Sequence, residues 1–149
     1  PEGNKYSNEC KKKISNENII VICADIEDQI MSLQTKDREN FMLESGIKNT
    51  SLNNLIKTGY NILELSTFFS STPKETRAWT IEKNSKAIEA AGVIHTDFKK
   101  KFIRAETVSH EDFIKYKGFN ECKNAGKLRL EGKDYIVKDG DVMFFRTGA

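Results

Sequence analysis

The chain ends in GKLRLEGKDYIVKDGDVMFFR, Gly126 to Arg146, and this stretch limits the possible folds more than any other. Leu128–Glu131 and Tyr135–Val137 have strand character and flank Gly132-Lys133-Asp134; a third run, Val142–Arg146, follows Asp139-Gly140-Asp141. Glycine beside aspartate supplies the positive φ that tight hairpin turns need, so the sequence predicts consecutive short strands. A lone hairpin is at best marginally stable in water. The upstream chain must therefore provide further strands to pair with and a helix to cover the apolar face.

The upstream pattern meets that demand. Leu63–Ser70 and Thr76–Ile81 are rich in aromatic residues and threonine, and Ser71-Thr72-Pro73-Lys74-Glu75 lies between them, with Pro73 suited to a turn. Ser85 is placed to cap a short helix through Ala87, Ile88, Ala90 and Ala91 to Gly92. A strand Phe102–Val108 follows, then a helical turn around Asp112-Phe113-Ile114 and a loop or short helix over Lys115–Gly126. Hairpin, helix, strand, small helical insert and closing strands make an α+β chain in the order of a β-grasp, a mixed sheet wrapped around one helix. Phe68, Phe98, Phe102, Phe113, Tyr135 and Phe144 are the expected aromatic core, each worth ~1.5–3 kcal/mol when fully buried. Adjacent strand residues face opposite ways, so one of Phe144 and Phe145 points inward and the other outward.

Residues 1–18 are polar and include Lys11-Lys12-Lys13, which predicts a helix or a mobile leader. Ile19–Ala24 is a continuous apolar, β-branched run of the kind buried on both faces in a parallel sheet. No strand–helix alternation surrounds it, so the run is expected to be a piece of something larger. Ile26, Ile30 and Leu33 then form a helical stripe, Phe41-Met42-Leu43 precede Gly46 as a C-cap, and Ser51 is placed to cap a segment in which Leu52, Leu55, Ile56 and Tyr60 share a face. These stripes read as core or domain packing.

Function classes can be excluded from the same residues. At 149 residues with 38% hydrophobic and 31% charged content the chain has the composition of a soluble globular protein. No apolar run approaches the ~20 residues of a membrane span, and the polar Pro1–Lys5 does not read as a signal peptide, so a cytoplasmic setting without membrane partners is expected. Cys10, Cys23 and Cys122 are odd in number and lack CxxC spacing; reduced thiols are expected, with no disulfide partner and no metal site. Gly132-Lys133 is followed by aspartate, and Lys127 stands where a phosphate loop needs its first glycine, so no phosphate cradle forms there. Asn4-Lys5-Tyr6-Ser7 lacks the carboxylate of a guanine-reading motif. His95 and His110 have no partner pattern for catalysis; His95-Thr96-Asp97 reads as a hydrogen-bonding cluster at a helix boundary. Asp139 and Asp141 read as hairpin acids. No catalytic constellation results.

Charge is unevenly divided. Residues 1–65 carry 8 Lys and Arg against 10 Asp and Glu, and residues 66–149 carry 16 against 12. Lys99, Lys100, Lys101 and Arg104 cluster at one helix–strand junction, while Arg77, Lys127 and Arg129 lie on segments expected in the same sheet. With Trp79 and Tyr116 available for stacking, these residues are the candidate RNA- or ribosome-binding surface. The competing reading is an ordinary solvated lysine surface.

Four motifs in order, Thr76-Arg77-Ala78-Trp79-Thr80-Ile81, Ala90–Phe98 (AAGVIHTDF), Phe102-Ile103-Arg104-Ala105-Glu106 and the closing stretch, resemble the C-terminal TGS domain of the Obg-like ATPase, or YchF-type, family. Val21–Glu27 resembles the last strand and loop of that family's G domain, and the residues up to Leu65 resemble the segment joining the two. The resemblance implies a leader and G-domain strand remnant over 1–24, a helical linker over 25–64 and a ubiquitin-like β-grasp TGS domain over 65–149. It implies a parent that uses ATP or GTP with magnesium and associates with ribosomes, and a non-catalytic chain here that binds no cofactor, packs against its own G domain and meets ribosomal RNA or protein. Cys23 and Ala24 correspond to the loop that approaches the base. Lys99-Lys100-Lys101 adds charge relative to the family's usual Glu-Lys-Gly, and the ending Phe145–Ala149 departs from its usual close. The alternative is a ubiquitin-like protein-interaction module that does not touch nucleic acid.

Overall fold

The computed structural model describes residues 3–14, 19–72 and 74–148. The chain forms two compact units, Pro1–Ile62 and Leu63–Ala149.

The first unit is helical. Helix α1 (Lys5–Lys13) starts at Asn4, whose side chain accepts from the Ser7 N–H at 3.0 Å while the Ser7 hydroxyl accepts from the Asn4 N–H at 2.7 Å. This reciprocal box satisfies two donors that a helix end leaves unpaired. Three lysines in the last turn complement the helix dipole. Helices α2 (Ala24–Ser32) and α3 (Thr35–Glu44) follow; the Arg38 guanidinium donates to the Ile30, Met31 and Leu33 carbonyls and so holds the end of α2 against α3. Gly46, at φ +67°, closes α3 with its N–H on the Leu43 carbonyl and the Ile47 N–H on that of Met42. Helix α4 (Ser51–Ile62) completes the unit.

The second unit is a five-stranded mixed sheet. Strands β1 (Leu65–Ser71) and β2 (Thr76–Glu82) form an antiparallel hairpin with Phe68 opposite Trp79. Helix α5 (Ala87–Ile94) and the short α6 (Thr96–Lys100) lead to β3 (Phe102–Ser109). Helices α7 (His110–Tyr116) and α8 (Phe119–Asn124) form an insert before β4 (Arg129–Glu131) and β5 (Asp141–Thr147). The sheet order is β2-β1-β5-β3-β4. Strand β5 runs parallel to β1 and antiparallel to β3, and β4 pairs antiparallel with β3.

One face of the sheet carries the core. Phe68, Ile81, Ala105, Met143 and Phe145 point to it, and Ala87, Ala90 and Ala91 of α5 pack there fully buried. Alanine at i, i+3 and i+4 presents one smooth stripe, which lets the helix backbone approach the sheet closely. Trp79, Ile94, Phe98, Phe102 and Tyr135 close the edges. On the opposite face Val108 and Val142 are buried, and Phe113, Phe119 and Phe144 form an aromatic chain alongside the insert.

Residues 19–23 pair with no strand among the described residues, Ile22 is 49% exposed, and the run keeps extended geometry at Cys23. Several expectations are corrected. Tyr135–Val137 is not a ladder strand, and Gly132 does not have positive φ. Instead residues 133–137 lace onto the start of α5, where the Ala87 and Ile88 N–H groups donate to the Tyr135 and Lys133 carbonyls and the Val137 N–H to the Ser85 carbonyl. Those two helix donors have no partner within α5 itself, which is why the loop is held there. The caps also move by one residue. Thr50 caps α4 through the Asn53 N–H at 3.2 Å, while Ser51 is buried with its N–H on Glu27 Oε1; Lys86 precedes α5, and the Ser85 hydroxyl donates to the Glu82 carbonyl. Phe145 is the inward member of its pair, and Phe113 and Phe144 belong to the opposite face. Leu52, Leu55 and Ile56 are about half exposed, so this face of α4 adds little to the core of its own unit. The turn residue Pro73, residues 1–2 and 15–18 of the leader, and Ala149 lie outside the described residues.

Candidate functional site

The basic residues singled out from sequence fall in three separate environments. Lys99 and Lys100 lie on α6, with Lys101 following as its C-cap; this five-residue helix is entered through His95, whose Nδ1 accepts from the Asp97 N–H at 3.2 Å. The histidine–aspartate pair is thus a helix-boundary cluster. Lys99 and Lys100 line an open cavity of about 740 Å³ beside α5 that also carries Glu82 and Glu89. Lys101 accepts the Gly148 N–H on its carbonyl at 2.8 Å, which ties the chain end to the α6–β3 junction.

Arg77 and Arg129 are engaged. Arg77 pairs with Glu75 at 3.0 Å and lies over the Trp79 ring. Trp79 itself sits on the core face, with its indole N–H donating to Ser70 Oγ at 2.8 Å. Arg129 belongs to a buried polar network. Its Nη2 donates to Asp141 Oδ1 at 3.0 Å and to the Tyr135 hydroxyl, which donates to Asp141 Oδ2 at 2.8 Å; the Lys138 N–H completes the set. Asp141 is 3% exposed, so its charge depends on these donors. Burial first, and the hydrogen bond to Asp141 second, push the Tyr135 hydroxyl up to about 12. Arg129 is therefore committed to the fold. Asp139, read beside Asp141 as a turn acid, accepts the Thr67 N–H at 2.8 Å and fastens the start of β1 to the turn before β5.

Arg104 and Lys127 are exposed and make no ion pair among the described residues. Arg104 stands directly opposite Arg146 across β3 and β5. Arg146 in turn binds Glu106 at 2.9 Å and lies 4.5 Å over the Phe144 ring; the carboxylate hydrogen bond raises the guanidinium further above its ordinary value. A register shift between Phe102 and Arg104 leaves Ile103 60% exposed beside these charges. Phe119 meets Phe144 at 6.4 Å and Phe113 at 5.3 Å, both edge to face.

Sequence reasoning did not find this second aromatic–cationic surface. It placed Phe113 and Phe144 in the core and did not single out Phe119. The available signal was the Phe144-Phe145 pair, because adjacent strand residues oblige one ring to face away from the core.

Cys23 is the N-cap of α2 and Ala24 its first residue, with Asp25 and Glu27 in the first turn. Two carboxylates there make this helix end unsuited to phosphate. The three cysteines are free; Cys122 is buried, its S–H on the Asp112 carbonyl at 3.5 Å, and burial pushes its thiol up. Among the described residues no group of three or more His, Cys, Asp and Glu could hold a metal ion, and no helix is long and apolar enough to cross a membrane.

Comparison with known proteins adds four findings. Residues 65–148 match the family model YchF-GTPase_C, described as a protein of unknown function (DUF933). The chain is 50% identical over 146 residues to the ribosome-binding ATPase YchF of Escherichia coli O157:H7, covering 97% of this chain and 40% of that relative. It is 46% identical over 148 residues to the ribosome-binding ATPase YchF of Bacillus subtilis strain 168, covering 98% and 40%. Among solved structures, that of the Schizosaccharomyces pombe YchF GTPase superposes with a TM-score of 0.81 at 35% identity, over 97% of this chain and 39% of that one. The chain thus spans about two fifths of the length of these relatives.

Proposed function

Because the chain belongs to the YchF-type, Obg-like family and matches its C-terminal part, we propose that it is the non-catalytic docking and regulatory portion of a longer, nucleotide-hydrolysing protein. The carrying observation is identity of 50% across 97% of this chain to a relative named as a ribosome-binding ATPase. The parent uses ATP or GTP with magnesium, and the residues that hold the phosphates lie outside this chain. Cys23 and Ala24 contribute the loop that approaches the base, consistent with a helix end that disfavours phosphate.

Residues 65–149 form a β-grasp TGS domain in this reading. The order β2-β1-β5-β3-β4, its central parallel pair and one helix across the core face support it. Residues 25–64 link it to the parent's G domain, and residues 1–24 include the end of that domain's last strand.

The docking partner is the ribosome, met through Lys99, Lys100, Lys101, Arg104 and Lys127, which make no ion pair among the described residues. Arg77 and Arg129 contribute less, because their charges are already answered by Glu75 and Asp141. The test is sedimentation of the chain with purified ribosomes. The wild type pellets with them, and reversing Lys99, Lys100 and Lys101 to glutamate together weakens pelleting by about tenfold or more at low salt, since each lost phosphate contact removes counterion release. Unchanged pelleting of that variant would remove the lysine run from the interface. If ribosomes bind but purified RNA does not compete, the partner is a ribosomal protein.

A further inference from the structure

The outer face of the sheet holds a groove of about 520 Å³, with Phe144, Glu106 and Arg146 from the strands and Phe119, Asn120 and Lys117 from the insert among its lining residues. Glu121 lines it as well, and Arg104 lies beside the lining, on β3. Two features of this groove and of the strands beside it are unfavourable for the domain alone. Arg104 and Arg146 are directly opposite on neighbouring strands, where like charges destabilise. Glu106 neutralises Arg146, but Arg104 has no acid partner among the described residues. The rings of Phe119 and Phe144 are only partly buried and bound the groove, beside a β-bulge that leaves Ile103 exposed. Bulges recur next to functional sites, where they redirect side chains. A ligand with an anionic group and a flat aromatic ring answers both features. The anion would offset the arginine repulsion and the ring would cover the phenylalanines.

We propose that this groove binds one unpaired nucleotide of single-stranded RNA, its phosphate at Arg104 and Arg146 and its base against Phe119 and Phe144. Asn120 offers its amide to the base edge, while Glu106 holds the Arg146 guanidinium in place. The inference rests on the ribosome-docking reading and deepens it by naming the RNA chemistry and the subsite. RNA is favoured over an acidic peptide because every nucleotide pairs a phosphate with a π-face at fixed reach. Lys99 and Lys100 line a different cavity, beside α5.

The test is fluorescence anisotropy of the full chain with a short labelled single-stranded RNA and with the same RNA annealed to its complement. The single strand is expected to bind more tightly. Arg104→Glu should weaken it about tenfold or more and lower the salt slope by about one. Phe119→Leu keeps the apolar packing and removes the ring; it should weaken binding about fivefold to a hundredfold with the slope unchanged. Lys133→Glu makes the same charge change elsewhere and should stay within about threefold. If Phe119→Leu melts early, Arg104→Glu decides alone, because Arg104 is exposed and makes no ion pair among the described residues. Wild-type affinity in Arg104→Glu, or equal affinity for duplex and single strand, overturns the proposal. Failure of the wild type to bind RNA while it still pellets with ribosomes also overturns it, and leaves docking through protein standing.

Discussion

Asp141 shows how one side chain settles a local choice between fold and function. It sits buried under donors from Arg129, Tyr135 and the Lys138 N–H, and its replacement leaves the Tyr135 hydroxyl and the Lys138 N–H without their acceptor and Arg129 without its nearest acid. Asp141→Ala should therefore cost about 3 kcal/mol, the low end for a broken buried pair because Arg129 is partly exposed, as measured by urea unfolding. Tyr135 supplies a pH signature. Its folded value is raised from 10.0 to about 12, so the proton it holds stabilises the fold fully below pH 10, and that stability is lost as pH rises through about 12. The wild type should lose stability between about pH 10 and about pH 12 in excess of Tyr135→Phe, and an identical alkaline loss in both proteins would contradict this. At this scale the sequence was partly legible. The His95–Asp97 cluster and the turn-acid role of Asp139 follow from local spacing. The capture of Arg129 does not, because its partners lie 6 and 12 residues away across a loop whose path depends on α5.

Among the elements, β5 joins the two halves of the sheet, parallel to β1 and antiparallel to β3. Its entry depends on Gly140, at φ +81°, whose N–H donates to the Thr67 carbonyl at 2.8 Å. A Cβ there would find His110 Cβ at 3.7 Å, an ordinary contact, so the cost of Gly140→Ala is conformational. It should be about 1–2 kcal/mol in a thermal melt, and an unchanged melt would show that the turn relaxes. The β1–β2 hairpin, α5 and β3 were readable because their periodicity and turn residues are local. Tyr135–Val137 misled because its alternation matches a strand, yet its backbone groups answer the free N–H groups at the start of α5.

For the molecule as a whole, the two units differ in how much they bury. Ile30 is the buried apolar residue of the helical unit among the described residues, whereas the second unit has a continuous core from Phe68 to Phe145. Limited proteolysis should therefore cut first within residues 1–62 and leave a fragment from about residue 63 onward, since local opening follows sparse burial. Equal cleavage rates in both units would contradict that order. The family was legible from four ordered motifs, whereas the binding surface was not, because charge counts along a sequence do not show which cations the fold has already paired. The measurement closest to the central claim is a salt series of ribosome sedimentation with the intact chain. The chain should pellet with ribosomes at about 50 mM salt and be progressively released by about 500 mM, with Arg104→Glu lowering the slope. A chain that stays in the supernatant throughout, or pellets equally at every salt concentration, would contradict it.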